Sequence, residues 1–414
     1  PTDWLTTATG AGWIGAMIAD LHAHYPMHLD PGIRGNLLAL LRTRAGRLRL
    51  RDHLRALGVN LASQFANYPG LFAGERVRIE WMAEGGVGVA CSVLYSFFDE
   101  VDSDPPARGE YTAELLRQAD LVEERVRGTA AVVARTPAEL DAAAGRVALV
   151  HCVEGGFHLL GGDDPADVGR AVDALADRGV AYITLAHLLY RGVATGANAF
   201  PFLDDDQFAR RCKQPPVGLT ARGRAAVEAM VRRRVMVDVA HMSERALADT
   251  FALLDELDPQ RRVPVLASHG GYRFGTQAYQ LAPETIARIA ERDGVVGLIF
   301  AQHQIWDGLE KARFPRLARH FEGFDGTFAK LCAHIDAIHD VTGDHRHIGI
   351  GSDFDGFIKP TLKGLRDMRD MRRLETRLRE KYGDEAAAAM CAENALRPLR
   401  TYWAGAAAGA QRRE

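Results

Sequence analysis

Eight short runs of β-branched and other apolar residues, each parted from the next by enough chain for a helix, constrain the fold more than any other feature. They are Met17–His22, Val87–Tyr95, Val147–Val153, Val180–His187, Val235–His241, Val263–His269, Val295–Ala301 and His347–Asp353. Most lack apolar/polar alternation and therefore read as strands buried on both faces, which is the habit of a parallel sheet built through crossover helices. Eight such strands close a (β/α)8 barrel of the TIM type.

Helices are predicted over 137–144, 165–178, 220–234, 243–257, 283–292 and 327–341. Thr220 and Ser243 sit where N-caps belong, and Pro165 and Pro283 suit a first helical turn. Two spacings are too wide for a bare barrel, so insertions are expected at about 25–86, after the first strand, and at 191–217, after the fourth. The first holds the arginine-rich stretch 40–55, with Arg42, Arg44, Arg47, Arg49 and Arg51, and the segment Leu61-Ala62-Ser63-Gln64-Phe65. These should add helices and a strand pair over the barrel mouth. The arginines could draw an acidic substrate, but a solvated helical face is the plainer reading. Asp204-Asp205-Asp206 in the second insertion reads as a surface loop or lid. Extra helices follow the last strand, 404–414 reads as a frayed tail, and the whole of 1–414 reads as one domain.

A doubly wound open sheet is the competing fold, but it needs a Gly-rich phosphate turn where Asp20 to His24 stands; Gly10-Ala11-Gly12 precedes that strand. No G-x-S-x-G serine elbow is present. A formal charge of -3 gives no field to hold nucleic acid or an anionic membrane surface. Five scattered cysteines with no C-x-x-C pair suit a reducing compartment, and no stretch approaches the ~20 apolar residues of a membrane span. Residues 1–19 lack a secretory pattern, so the cytoplasm is expected; the numbering opens at Pro1, which leaves a removed leader open.

In such a barrel the reactive groups stand at the C-terminal strand ends. With 15 histidines in 414 residues, eight three-residue tips would hold about one by chance, yet His22, His24, His187, His241 and His269 all stand there. A single buried histidine is ordinarily a satisfied core residue; five converging ones point to metal. In His22-Ala23-His24 the rings are one strand period apart and can both point inward. Glu154, ending the third run, has two oxygens and can bridge two cations, with His241 and His269 completing the second. Asp353 lies in Gly349-Ile350-Gly351-Ser352-Asp353-Phe354-Asp355-Gly356, where its carboxylate can reach metal-bound water. Asp355 fits a helix N-cap better.

The order Asp20-x-His22-x-His24 with Pro26, Glu154-Gly155, Leu185-Ala186-His187, Gly218-Leu219-Thr220, Asp238-Val239-Ala240-His241-Met242-Ser243, Ala267-Ser268-His269 and Gly351-Ser352-Asp353 resembles the membrane (renal) dipeptidase family, peptidase family M19 of the amidohydrolase superfamily. Glu393-Asn394-Ala395-Leu396-Arg397 is similar to that family's C-terminal segment. The resemblance implies two zinc ions, one or both of them needed: His22, His24 and Glu154 hold one, and Glu154, His241 and His269 the other. It implies that His187 polarises the scissile carbonyl, that Asp353 carries protons, and that a homodimer is a possible assembly. Asp238 would support His241 or pack against a neighbouring helix.

Two positions depart from the family. His24 stands where its dipeptidases usually carry aspartate, which makes the metal centre more positive. Gln280, beside Tyr279, stands where the family's carboxylate-binding arginine is expected, while Arg273 lies earlier in the same loop. Arg273, Tyr279 and Gln280 are therefore the candidate substrate-binding residues. The expected activity is hydrolysis of the amide bond of small dipeptides, with a D-residue on the C-terminal side as one option, by a metal-bridging hydroxide. The alternatives are a lactam, lactone, other acyl or phosphoester substrate on the same centre, and a barrel that binds metal without turnover.

Overall fold

The computed structural model describes residues 17–29, 54, 57–58, 75–102, 109–161, 164–309, 323–356 and 361–406. The strands are β1 (Ile18–Ala23), β2 (Val87–Leu94), β3 (Ala131–Val133), β4 (Val147–Glu154), β5 (Tyr182–Thr184), β6 (Met236–Asp238), β7 (Val265–Gly270), β8 (Val295–Leu298) and β9 (Ile348–Ile350). Every pairing is parallel, in the order β2-β1-β9-β8-β7-β6-β5-β4-β3, and β2 also pairs with β4 from Val89↔Ala148 to Leu94↔Val153. That pairing closes an eight-stranded barrel with helices around it, and each of its strands falls on one of the eight apolar runs.

The ninth strand was not expected. β3 pairs with the first half of β4 (Ala131↔Val147 to Val133↔Leu149), while β5 pairs with its last two residues. It thus covers the backbone edge of β4 below the start of β5, where bare N–H and C=O groups would otherwise need water.

The expected helices form at Pro137–Ala142, Pro165–Asp177, Ala221–Arg233, Glu244–Leu257, Pro283–Ala290 and Phe324–Thr342. Thr220 accepts from Gly223 N and Ser243 from Ala246 N, and both prolines open their helices. The expectation of a loop or lid at Asp204-Asp205-Asp206 is corrected: Asp204 caps a helix, Asp205–Arg211, through a capping box with Gln207. Asp205 also accepts from Ala278 N, tying this insertion to the loop after β7. Arginines 42–51, the segment 61–65 and Gly10 to Gly12 lie outside the described residues, as do 407–414; of the expected frayed tail, Ala406 N donates to Arg135 O.

The C-terminal helices Met371–Tyr382, Asp384–Ala388 and Asn394–Thr401 cover the barrel foot. There Asn394 donates to His345 O and Ile348 O, and Arg397 to Asp293 O and Arg346 O, so the Asn394/Arg397 motif fastens the starts of β8 and β9. Glycine matters where strands crowd: a Cβ on Gly351 would clash with Ser268 O, so the β9 tip can lie against the β7 tip. No described helix is long and apolar enough to cross a membrane.

Candidate metal centre

Because the strands are parallel, their C-terminal ends share one mouth. Glu154 ends β4 there, its side chain 1% exposed, and five imidazoles close on it. His22 Nε2 lies 3.3 Å from Oε1 and His24 Nε2 3.4 Å from Oε2. His241 and His269 bring their Nε2 atoms to 3.3 and 3.5 Å from Oε1, and these two atoms are 2.9 Å apart. His187 Nε2 is 3.2 Å from Oε2, and Asp353 Oδ1 is 3.2 Å from His24 Nε2. The structure thus brings together every residue expected to bind metal or to catalyse.

The hydrogen bonds behind the rings fix which nitrogen faces inward. Tyr182 Oη donates to Leu21 O at 2.6 Å, so it accepts from His22 Nδ1 at 2.9 Å. Ser268 Oγ donates to Asp238 Oδ2 at 2.6 Å, so it accepts from Nδ1 of His22 at 3.1 Å and of His269 at 2.9 Å. Both rings therefore carry their proton on Nδ1 and turn a bare Nε2 lone pair to the centre. Asp238 is the hub: it accepts also from Ser268 N, Thr184 Oγ1 and Ala240 N, which settles it as a support for the rings. Asp20 does the same for the β1 and β9 tips, accepting from His22 N, Ser352 N and Ser352 Oγ; burial nevertheless lifts its carboxyl to about 6.

Burial opposes charge throughout the cluster, and the neighbours decide the outcome. For Glu154, His187 and His22 overcome desolvation and hold the carboxyl well below the usual range. For His187, burial is outweighed by Glu100 and Glu154, which raise it to about 10. His24 goes the other way, because burial exceeds the pull of Asp353 and Glu154.

The donors fit a divalent cation. Buried Nε2 atoms of His22 and His24 and Oε1 of Glu154 find no hydrogen bond, although most buried polar atoms do. Imidazole nitrogen and carboxylate oxygen are ligands that zinc takes. Two triads have their atoms within 4.8 Å of one another: His22, His24, Glu154, and Glu154, His241, His269. A third, His22, Asp238, His269, is equally compact but weaker chemically, because the oxygens of Asp238 already accept four hydrogen bonds. His241 (φ 64°) and Asp353 (φ 55°) adopt left-handed backbone that non-glycine residues avoid, a strain typical of functional positions.

Around the centre, Tyr279 Oη lies 3.5 Å from His241 Nε2. Gln280 is buried, and its carboxamide makes no hydrogen bond. Arg273 is spent on its own surroundings: Nε donates to Gln280 O at 2.8 Å, and the guanidinium reaches Ala278 O and Glu244. Asp355 accepts from Arg76 N and Val77 N and pairs with His28, so it clamps the chain on either side of the first insertion. Sequence reasoning missed Glu100, whose Oε2 is 2.7 Å from His187 Nδ1. The signal for it was position alone, an acid in the loop just beyond a barrel strand.

The family described as membrane dipeptidase, peptidase family M19, matches residues 48–411. The chain is 30% identical to an uncharacterised dipeptidase of Schizosaccharomyces pombe over 191 residues, 46% of this chain and 38% of that protein. It is 25% identical to a dipeptidase of Aspergillus oryzae over 294 residues, 69% of this chain and 60% of that protein. The match thus spans less than two thirds of either relative. Among solved structures, a metallopeptidase of Rhodobacter sphaeroides bound to a phosphinate mimic of L-Ala-D-Ala superposes with a TM-score of 0.64 at 22% identity, covering 94% of this chain and 100% of that one. An M19 metallopeptidase, dipeptidase AC, gives 0.64 and 22%, covering 94% and 99%. These likenesses support the barrel. With the barrel closed and the match running over most of its length, the chain belongs to the membrane dipeptidase family, peptidase family M19.

Proposed function

We propose that this protein is a zinc-dependent hydrolase of the amide bond in small dipeptides, and that residues with D configuration are accepted on the C-terminal side. The observation that carries this reading is Glu154 with five imidazole Nε2 atoms within 3.5 Å and the Asp353 carboxylate beside them. The L-Ala-D-Ala mimic in the Rhodobacter sphaeroides structure suggests the stereochemistry.

His22, His24 and Glu154 would hold one ion, and Glu154, His241 and His269 a second. Bound there, zinc supplies Lewis acidity, polarising a carbonyl and lowering the pKa of water to about 7. Asp353 takes a proton on a carboxylate oxygen and returns it to the departing amine nitrogen. His187, held between Glu100 and Glu154, presents Nε2 to the carbonyl oxygen as its negative charge grows, a kind of contact worth about 10²- to 10³-fold in rate. Tyr279 lies at the edge of the cluster, in reach of a substrate. Five free cysteines support a reducing compartment, and we place the protein in the cytoplasm, as one domain able to pair as a homodimer.

The bonds of Arg273 to Gln280 O, Ala278 O and Glu244 favour a second reading, in which the substrate lacks a free carboxylate and is another acyl compound, a lactam or lactone, or a phosphoester. One panel separates the readings: L-Xaa-D-Xaa and L-Xaa-L-Xaa dipeptides assayed beside lactones and an organophosphate. Turnover of dipeptides, abolished by chelation and reduced about 10³-fold by Asp353→Asn with metal retained, is expected. Inert dipeptides with active lactones would replace the first reading by the second.

A further inference from the structure

We propose that Glu100 is a positioning residue of this centre: its carboxylate turns the His187 ring so that Nε2 faces the Glu154 cluster and Nδ1 faces away. Glu100 belongs to the one-turn helix Phe97–Val101 just beyond β2 and is 1% exposed. Its Oε2 accepts from His187 Nδ1 and from Tyr95 Oη, both at 2.7 Å, and its Oε1 from Leu189 N at 2.8 Å.

Tyr95 follows β2, whereas His187 and Leu189 follow β5, and β4 lies between these strands. One side chain therefore spans two strand tips that the sheet does not join. The χ2 torsion of a histidine is broad and roughly two-fold, so packing alone leaves open which ring edge faces inward. A short bond to a charged acceptor removes that choice. On its other side Glu100 borders a cavity of about 250 Å³ whose wall is mostly apolar, with Phe97, Val101, Leu188, Phe200 and Leu203, and which Arg211 also lines. Apolar walls weaken competition from water for the carboxylate.

The kinetic part of the test rests on the hydrolase reading, and a spectroscopic part does not. In Glu100→Gln, metal content should equal that of the parent, kcat should fall about 10- to 100-fold, and KM should stay within about twofold. In a His187→Ala background the same substitution should cost nothing further, since Glu100 acts through that ring. Glu100→Asp keeps the charge but withdraws it by one methylene; it should lose kcat too, and it serves if the Gln variant fails to fold. Independently of turnover, ¹⁵N spectra should show His187 Nδ1 protonated in the parent and its signal displaced in Glu100→Gln. Additive losses in the double variant, or an unmoved Nδ1 signal, would overturn the proposal. A parent inactive on every substrate tried, with the expected spectra, would sink the hydrolase reading and leave Glu100 standing.

Discussion

The two ends of the barrel are built on opposite principles. At the mouth, Nε2 of His22 and His24 and Oε1 of Glu154 crowd together without hydrogen bonds. At the foot, charge is met by charge: Arg292, with no side-chain exposure, reaches Asp255 at 2.7 Å and Asp258 at 3.0 Å, and Asn394 and Arg397 fasten the strand starts. The contrast teaches a division of labour in which the foot holds the fold and the mouth is held in a state it would not choose alone.

The sharpest way to break that contrast is Glu154→Gln, which removes the carboxylate shared by both triads. Metal content and activity should both collapse, the latter by about 10⁴-fold or more, because both triads lose the carboxylate they share. Elemental analysis and turnover read these together; a Gln variant that kept its metal and its rate would contradict the place of Glu154 at the centre of the mouth. At the foot, Arg292→Met should do the reverse. It takes one cation from Asp258, which keeps Val263 N, and one from Asp255, which keeps Arg288, for a loss of about 1 to 3 kcal/mol in denaturant unfolding, with activity per folded molecule unchanged.

Acid should sharpen the comparison next. His334, on the helix Phe324–Thr342, accepts from Tyr272 N on Nδ1 and donates to Ile305 O from Nε2, so its neutral form is fixed; burial lowers it to about 4. The unfolded chain takes up this proton near the ordinary histidine value of 6.5, before the folded chain does. The stability that His334 contributes is therefore complete above about pH 6.5 and is lost as the pH falls through about 4, roughly 3.5 kcal/mol at 1.4 kcal/mol per unit, of which about 2 kcal/mol goes between pH 7 and pH 5. His151 on β4, lowered to about 3 by burial and then by Arg178 and Arg135, adds to the same slope. Denaturant unfolding at pH 7 and pH 5 should show it, and His334→Gln, which can keep both bonds, should flatten it; an equal slope in the variant would remove His334 from the account.

The eight barrel strands and the convergence of Glu154 with the histidines were legible for one reason. A strand buried on both faces prints an unbroken apolar run, and the residue that ends the run is the one at the mouth, so Glu154 and the histidines could be placed without knowing their neighbours. β3 was not legible, being three residues long with two of them half-buried. The helix Glu110–Val126 left a readable period of buried residues at Leu115, Ala119, Val122 and Val126, and was overlooked. Asp238 was legible as a support from its place two residues before His241, but Glu100 was not, nor were Tyr182 and Ser268 of the Asp238 network: His187 lies 87 residues from Glu100, and Tyr182 lies 160 from His22, so no local pattern records either bond. Arg273 was placed correctly in its loop, but its choice of backbone oxygens over the mouth depends on how that loop closes.

That network yields the smallest of the expected effects. Ser268 Oγ serves two rings, accepting from His22 and His269 while donating to Asp238, and removing it takes one acceptor from each Nδ1. Tyr182 still receives His22, so that ring keeps its inward Nε2, whereas His269 loses its bond to Ser268 Oγ. Ser268→Ala should therefore weaken the ion held by His241 and His269 about 10-fold and spare the one held by His22 and His24. Competition against a chelator, followed by elemental analysis at each step, resolves the two losses. Equal weakening of both ions would mean that Ser268 supports the mouth as a whole and not one ring of it.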